Sequence, residues 1–119
     1  MIMDAGESQS EFPRLSIVLP VLNEQEHIGQ VLSHLEQLKG AEQCEIIVVD
    51  GDPEGGTIKT IEDDAVVTLV GPRGRAAQMN AGATRAAGEN LLFLHADTRL
   101  PADAVGKVLD TLDNRRYVA

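Results

Sequence analysis

The sequence predicts an α/β domain, a mostly parallel sheet with helices on both faces. Three observations carry this reading. Short runs rich in β-branched residues alternate with longer amphipathic stretches in βα order. Two of those runs, Leu15-Ser16-Ile17-Val18-Leu19 and Glu45-Ile46-Ile47-Val48-Val49-Asp50, are almost continuously apolar, as suits parallel strands covered on both sides. The 119 residues contain no internal repeat and no low-complexity insert, so the alternation fills one domain.

Residues 1–14, MIMDAGESQSEFPR, are polar and aperiodic and are read as a flexible leader, leaving residues 15–119 as the domain. The first strand covers 15–19 and is expected to stop at Pro20, which has no backbone donor. Asn23 can cap the helix that follows, with Glu26 completing a capping box, and Ile28, Val31, Leu32, Leu35 and Leu38 share one face of it. Gly40 closes that helix. The second strand, 45–50, leaves through a glycine-rich loop over 51–56, then a short helix over 57–64 and a third strand over 65–70. After the break at Gly71-Pro72-Arg73-Gly74, an alanine-rich helix spans 75–87, with Gly88 as its stop. Leu91-Leu92-Phe93-Leu94 is the fourth strand. Pro101 opens a last helix with the stripe Ala104, Val105, Val108, Leu109 and Leu112.

Composition narrows the function classes. Hydrophobic residues make up 43% and charged residues 24% of the chain, which excludes a wholly disordered chain. Aromatic content is 3% with no Trp, and the net charge is −9, so stacking platforms and a basic surface for nucleic acid are both lacking. The charge is uneven: residues 1–64 carry 14 acidic and 3 basic side chains, and residues 65–119 carry 5 and 7, so an anion favours the second part. Cys44 is the single cysteine, which excludes an internal disulfide and points to a reducing, cytoplasmic setting. No apolar run approaches the roughly 18 residues of a membrane span.

Ligands of open parallel sheets bind outside the carboxyl ends of the strands. Those ends fall at 20–24, 50–56, 71–75 and 95–99, and the region around them carries Glu24, Asp50, Asp52, Glu54, Arg73, Arg75, Asn80, His95, Asp97 and Arg99. Carboxylates there can hold ribose hydroxyls, base edges or a hard divalent cation, and arginines can neutralise phosphate oxygens. A nucleoside diphosphate with Mg2+ or Mn2+ would use both. His27 and His34, on the first helix, are read as surface residues away from these ends. Neither G-x-G-x-x-G nor G-K-[ST] occurs, which argues against a dehydrogenase or a phosphate-loop ATPase.

Four ordered blocks carry a resemblance: Ser16-Ile17-Val18-Leu19-Pro20-Val21-Leu22-Asn23-Glu24, Ile46-Ile47-Val48-Val49-Asp50-Gly51, Gly74-Arg75-Ala76-Ala77-Gln78-Met79-Asn80-Ala81-Gly82-Ala83, and Leu92-Phe93-Leu94-His95-Ala96-Asp97-Thr98. Together they resemble family 2 glycosyltransferases over residues 15–113, with the third block typical of a bacterial subgroup. The resemblance implies the GT-A fold, a Rossmann-like sheet of which this chain holds the N-terminal half, and transfer of a sugar from a UDP- or GDP-type nucleotide sugar to an unknown acceptor. It places Glu24 and Asp50 at the uracil and ribose, Pro20 and Gly51 elsewhere in the nucleotide-sugar site, Arg75 and Asn80 near the nucleotide and its phosphates, and Asp97 on the cation as the last position of Asp-x-Asp.

The first position of that motif is His95, read here as a hydrogen-bond partner of a phosphate or a loop carbonyl. The loop Gly51-Asp52-Pro53-Glu54-Gly55-Gly56-Thr57 also departs from the family's Ser/Thr-Asp-Gly-Thr pattern. In inverting members the general base comes from the second half of the domain. Asp103, Asp110 and Asp113 read as the solvated face of the last helix, so no catalytic base is assigned and turnover is expected to need a base from a partner chain or from the acceptor. The alternative is a truncated, non-catalytic nucleotide-sugar-binding or assembly module. An exposed sheet edge is expected to drive homo-oligomer formation.

Overall fold

The computed structural model describes residues 13–114. Its regular elements are β1 (Leu15–Val21), α1 (Ile28–Glu36), β2 (Cys44–Asp50), β3 (Val67–Val70), α2 (Arg75–Arg85), β4 (Asn90–Phe93) and α3 (Ala104–Asn114), with 3-10 turns at Ala41–Gln43 and Ile58–Thr60. Of the leader expected over 1–14, residues 1–12 lie outside the described residues, as do residues 115–119.

The strands form one parallel sheet in the order β3-β2-β1-β4. Residues of β1 alternate between two cores. Leu15, Ile17, Leu19 and Val21 pack with Ile28, Leu32 and Leu35 of α1 and with Val105 and Leu109 of α3. Val18 faces the other way and joins Ile47, Val49 and Ala81 under α2. That second layer is tight: a Cβ on Gly82 would lie 2.4 Å from Val18 Cγ1, so glycine lets α2 rest directly on the sheet. Because the crossover from β1 to β2 leaves on one face and the one from β3 to β4 on the other, the chain reverses direction across the sheet between β1 and β4. The crevice at such a switch point is where ligands bind.

Several boundaries differ from expectation, each for a local reason. Pro20 does not end β1. Val18 accepts the Leu94 N–H at 2.9 Å, and Pro20, two residues on, faces the same side, where β4 has already ended, so no ladder bond is lost. Asn23 does not cap α1. It turns the chain with φ 57, a conformation asparagine tolerates, and α1 starts at Ile28 without a side-chain cap. The helix expected over 57–64 shrinks to the turn at Ile58–Thr60, and Asp63 Oδ1 takes the Ala65 N–H at 2.9 Å, a local bond that competes with helix. Gly88 is not a helix stop, since α2 ends at Arg85. A Cβ on Gly88 would lie 2.5 Å from Ser16 Oγ, which accepts the Gly88 N–H at 2.8 Å. The glycine is there for close approach to the start of β1.

Candidate functional site

The carboxyl ends of the four strands gather the predicted loops, and two side chains hold them in place. Asp50, the last residue of β2, is fully buried. Its Oδ1 accepts the Asp52 N–H at 2.9 Å, and its Oδ2 accepts the N–H groups of Thr57 and Ile58 at 2.9 and 3.1 Å. One carboxylate thus closes the loop 51–58 on itself. Thr57, also fully buried, passes the constraint on: its Oγ1 accepts the Glu24 N–H at 3.0 Å and its hydroxyl donates to Gln25 Oε1 at 3.3 Å. Inside the loop, Asp52 accepts the N–H groups of Glu54 and Gly56, and these bonds hold its carboxyl below the usual carboxylate range.

Gln78, in the first turns of α2, is the second fastening and is 4% exposed. Its Nε2 donates to the carbonyls of Val21 and Val49 at 2.9 and 2.8 Å, and its Oε1 accepts the Gly74 N–H at 3.1 Å. Gly51 makes room for it, since a Cβ there would lie 2.7 Å from Gln78 Oε1.

Above these fastenings lies a cleft of ≈ 270 Å³ between the ends of β1 and β4 and the start of α2, walled by Pro20, Glu24, Arg73, Arg75, Gln78 and His95. The N-terminus of α2 opens onto it with Gly74 as cap and no side-chain cap bond, which leaves backbone N–H groups for an anion. A second cleft, ≈ 290 Å³, adjoins the first through Glu24 and Ala96 and is lined by His27, His34, Asp97 and Arg99. His95 Nδ1 stands 3.4 Å from Asp97 Oδ1, with the His95 side chain 44% and the Asp97 side chain 86% exposed.

Of the residues expected at the site, Pro20, Glu24, Arg75 and His95 line the first cleft and Asp97 lines the second. Asp50 and Gly51 are buried beneath, where Asp50 organises the loop, and Asn80 is exposed on α2 and lines neither cleft. Two histidines read as remote are not: α1 begins right beside the strand ends, so His27 and His34, two turns apart, face the loop after β4. His27 Nδ1 is 3.4 Å from Glu24 Oε1, and His34 Nε2 reaches the Leu100 carbonyl at 3.0 Å. Thr57 and Gln78 were missed as functional residues. Position within the Gly74-Arg75-x-x-Gln78 block is the only sequence signal for Gln78, and Thr57 has none.

Among the described residues no group of three or more His, Cys, Asp or Glu side chains could by itself hold a metal ion. Asp97 offers hard oxygen donors with His95 as its near neighbour, a partial set that suits a cation whose other positions are filled by a ligand and water. No described helix is long and apolar enough to cross a membrane.

The chain matches the glycosyl transferase family 2 sequence model over residues 16–119. It is 29% identical over 110 residues to the undecaprenyl-phosphate 4-deoxy-4-formamido-L-arabinose transferase of Proteus mirabilis, covering 84% of this chain and 34% of that protein. It is 21% identical over 112 residues to a dolichol-phosphate mannosyltransferase of Pyrococcus furiosus, covering 89% and 32%. The chain therefore spans about a third of the length of these curated relatives. Among solved structures it superposes on a mannosyltransferase from Pyrobaculum calidifontis in complex with GDP-Man and Mn2+ with a TM-score of 0.71 at 22% identity, covering 87% of this chain and 33% of that one. It superposes on S. aureus TarS in complex with UDP-GlcNAc with a TM-score of 0.68 at 21% identity, covering 85% and 31%. These likenesses bear out the Rossmann-like, GT-A type of fold expected from the sequence.

Proposed function

The chain belongs to glycosyl transferase family 2, and we propose that it binds a nucleoside diphosphate sugar of the UDP or GDP type, with Mg2+ or Mn2+, for transfer of the sugar to an acceptor. One observation carries the reading: Arg73, Arg75 and the open N-terminus of α2 converge on the same switch-point cleft as Glu24 and His95. The cationic side suits a diphosphate, by paired guanidinium contacts and backbone N–H groups. The Glu24 side, steadied by Thr57, suits hydroxyl and base donors. Asp97 would hold the cation, with diphosphate oxygens and water completing its shell, and His95 would hydrogen-bond a phosphate oxygen. When bound, the cation would offset negative charge on the departing diphosphate.

The molecules bound by two of the solved neighbours support this. The neighbours were solved with GDP-Man and Mn2+ and with UDP-GlcNAc, nucleotide sugars of the expected types. Leu91 and Phe93, 40% and 45% exposed on edge strand β4, support the self-association expected from the sequence, and the single Cys44 supports a cytoplasmic setting.

Calorimetry with UDP, GDP and dTDP, with and without Mn2+, tests the reading. Binding of at least one diphosphate is expected to strengthen with Mn2+. Asp97→Ala should remove that gain, because even indirect partners of a metal are worth about 10–100-fold in its affinity. Failure of all three nucleotides to bind, with or without metal, would refute the proposal.

A further inference from the structure

Gln78 makes three side-chain hydrogen bonds at the strand ends, as many as Asp50, and its partners belong to three different elements. Both hydrogens of its amide nitrogen are spent on the carbonyls of Val21, at the end of β1, and Val49, near the end of β2. Its oxygen holds the N–H of Gly74, the cap of α2. In a capping box the side chain at the third helical position reaches back to the cap; here the fourth position does so, and its other end is anchored in the sheet.

Gly74 itself has φ 127 and ψ 133, a conformation that glycine alone adopts readily, and a Cβ there would meet nothing within 4 Å. Backbone geometry, not crowding, requires the glycine. Its neighbours Arg73 and Arg75 are exposed and wall the cleft, and among the described residues neither makes a close ion pair, Arg73 acting on Asp52 only at longer range. The placement of both arginines therefore depends on how the short connection from β3 to α2 is held, and Gln78 is what holds its final residue to the sheet.

The opposite wall has a separate fastening. Asp50, Thr57 and the Glu24 N–H form their own network, which adjoins that of Gln78 at the Val21 carbonyl, where the Gly51 N–H also donates at 3.0 Å, and at the Val49 carbonyl, in the peptide that leads into Asp50. Two walls with two fastenings imply separable roles.

We propose that Gln78 is a positioning residue for the diphosphate of the ligand, acting through Arg73 and Arg75 by locking the Gly74 turn to the ends of β1 and β2. This rests on the nucleotide-diphosphate reading above.

The test is a double-mutant cycle on nucleotide affinity in the presence of Mn2+, using whichever of UDP or GDP binds the unaltered chain. Gln78→Met keeps the length of the side chain and removes all three bonds. It is expected to weaken binding about tenfold, the loss of one well-placed charge-assisted contact. In a chain already carrying Arg73→Ala and Arg75→Ala, the same change should add less than about twofold, because the groups it positions are gone. A purely structural role predicts the full loss in both backgrounds, and that additivity would overturn the inference while leaving the nucleotide reading intact. If Gln78→Met does not fold, as judged by circular dichroism, Gly51→Ala takes its place in the cycle, since its Cβ displaces Gln78 Oε1 from the other side. If the unaltered chain binds neither nucleotide, the nucleotide reading falls, and this inference with it.

Discussion

Replacing Asp50 by asparagine changes one atom in a side chain with no exposed surface. The carboxylate accepts three backbone N–H groups, one on Oδ1 and two on Oδ2. An amide has one acceptor oxygen, so its two orientations are unequal. With the oxygen toward Thr57 and Ile58, two bonds survive and the NH2 group faces the Asp52 N–H, donor to donor. The reverse orientation loses two bonds, so the first is favoured. An unmet buried donor costs about 1–3 kcal/mol, and the two surviving bonds each weaken by about 1 kcal/mol as they cease to be charge-assisted. Part of this is returned because a neutral amide is easier to bury than a carboxylate. The net loss is about 2–4 kcal/mol, or roughly 10 °C in melting temperature for a domain of this size. Thermal unfolding followed by circular dichroism measures the total. Amide hydrogen exchange adds a sharper signature, with Asp52 losing protection while Thr57 and Ile58 largely keep theirs. An unchanged melting temperature with unchanged exchange at all three amides would refute the account of how the loop is closed.

Three further outcomes are expected. Gly82→Ala places a methyl group 2.4 Å from Val18 Cγ1 and 3.1 Å from Val49 Cγ2, so α2 must lift from the sheet at a cost of about 1–3 kcal/mol, read as a lower urea midpoint. Because the backbone bonds from Glu54 and Gly56 depress the Asp52 carboxyl, its support of the loop is complete above the ordinary carboxylate range and disappears as pH falls through the depressed value; a carboxyl 13C titration with a midpoint at or above the ordinary value would contradict this. Burial, reinforced by Glu42, pushes the Cys44 thiol up to about 11, so iodoacetamide should label the native chain slowly at pH 8 and the urea-unfolded chain far faster, with equal rates as the disproof.

The strands and the two faces of the sheet were legible in the sequence because buried parallel strands leave a run of β-branched residues that little else produces. Val18 and Ile17 declare opposite cores by alternation alone. What was not legible depends on partners distant in the chain. Whether Pro20 breaks a strand is decided by where β4 ends, and Asn23 caps or turns according to where α1 can start. The site divides in the same way. Glu24, Arg75, His95 and Asp97 stand at strand or helix ends, where position implies exposure to a ligand. Asp50 has the same signature, yet its oxygens serve its own loop, and Thr57 and Gln78 act through bonds across 33 and 57 residues that no local pattern announces.

The loop between β2 and β3 also bears on redesign. Asp50 binds it at both ends, through Asp52 near the start and Thr57 and Ile58 at the close, while Asp52 holds the Glu54 and Gly56 N–H groups and Gly55 is buried beside Ile58 and Val70. A change of chemistry at the exposed positions Pro53 and Glu54, with Asp50, Asp52, Gly55, Thr57 and Ile58 retained, leaves in place both the clasp and the contact with Val70 that precedes the arginine-bearing connection. Residues 53–56 line neither cleft, so such a change alters the loop while Glu24, whose N–H is held by Thr57, keeps its place on the cleft wall.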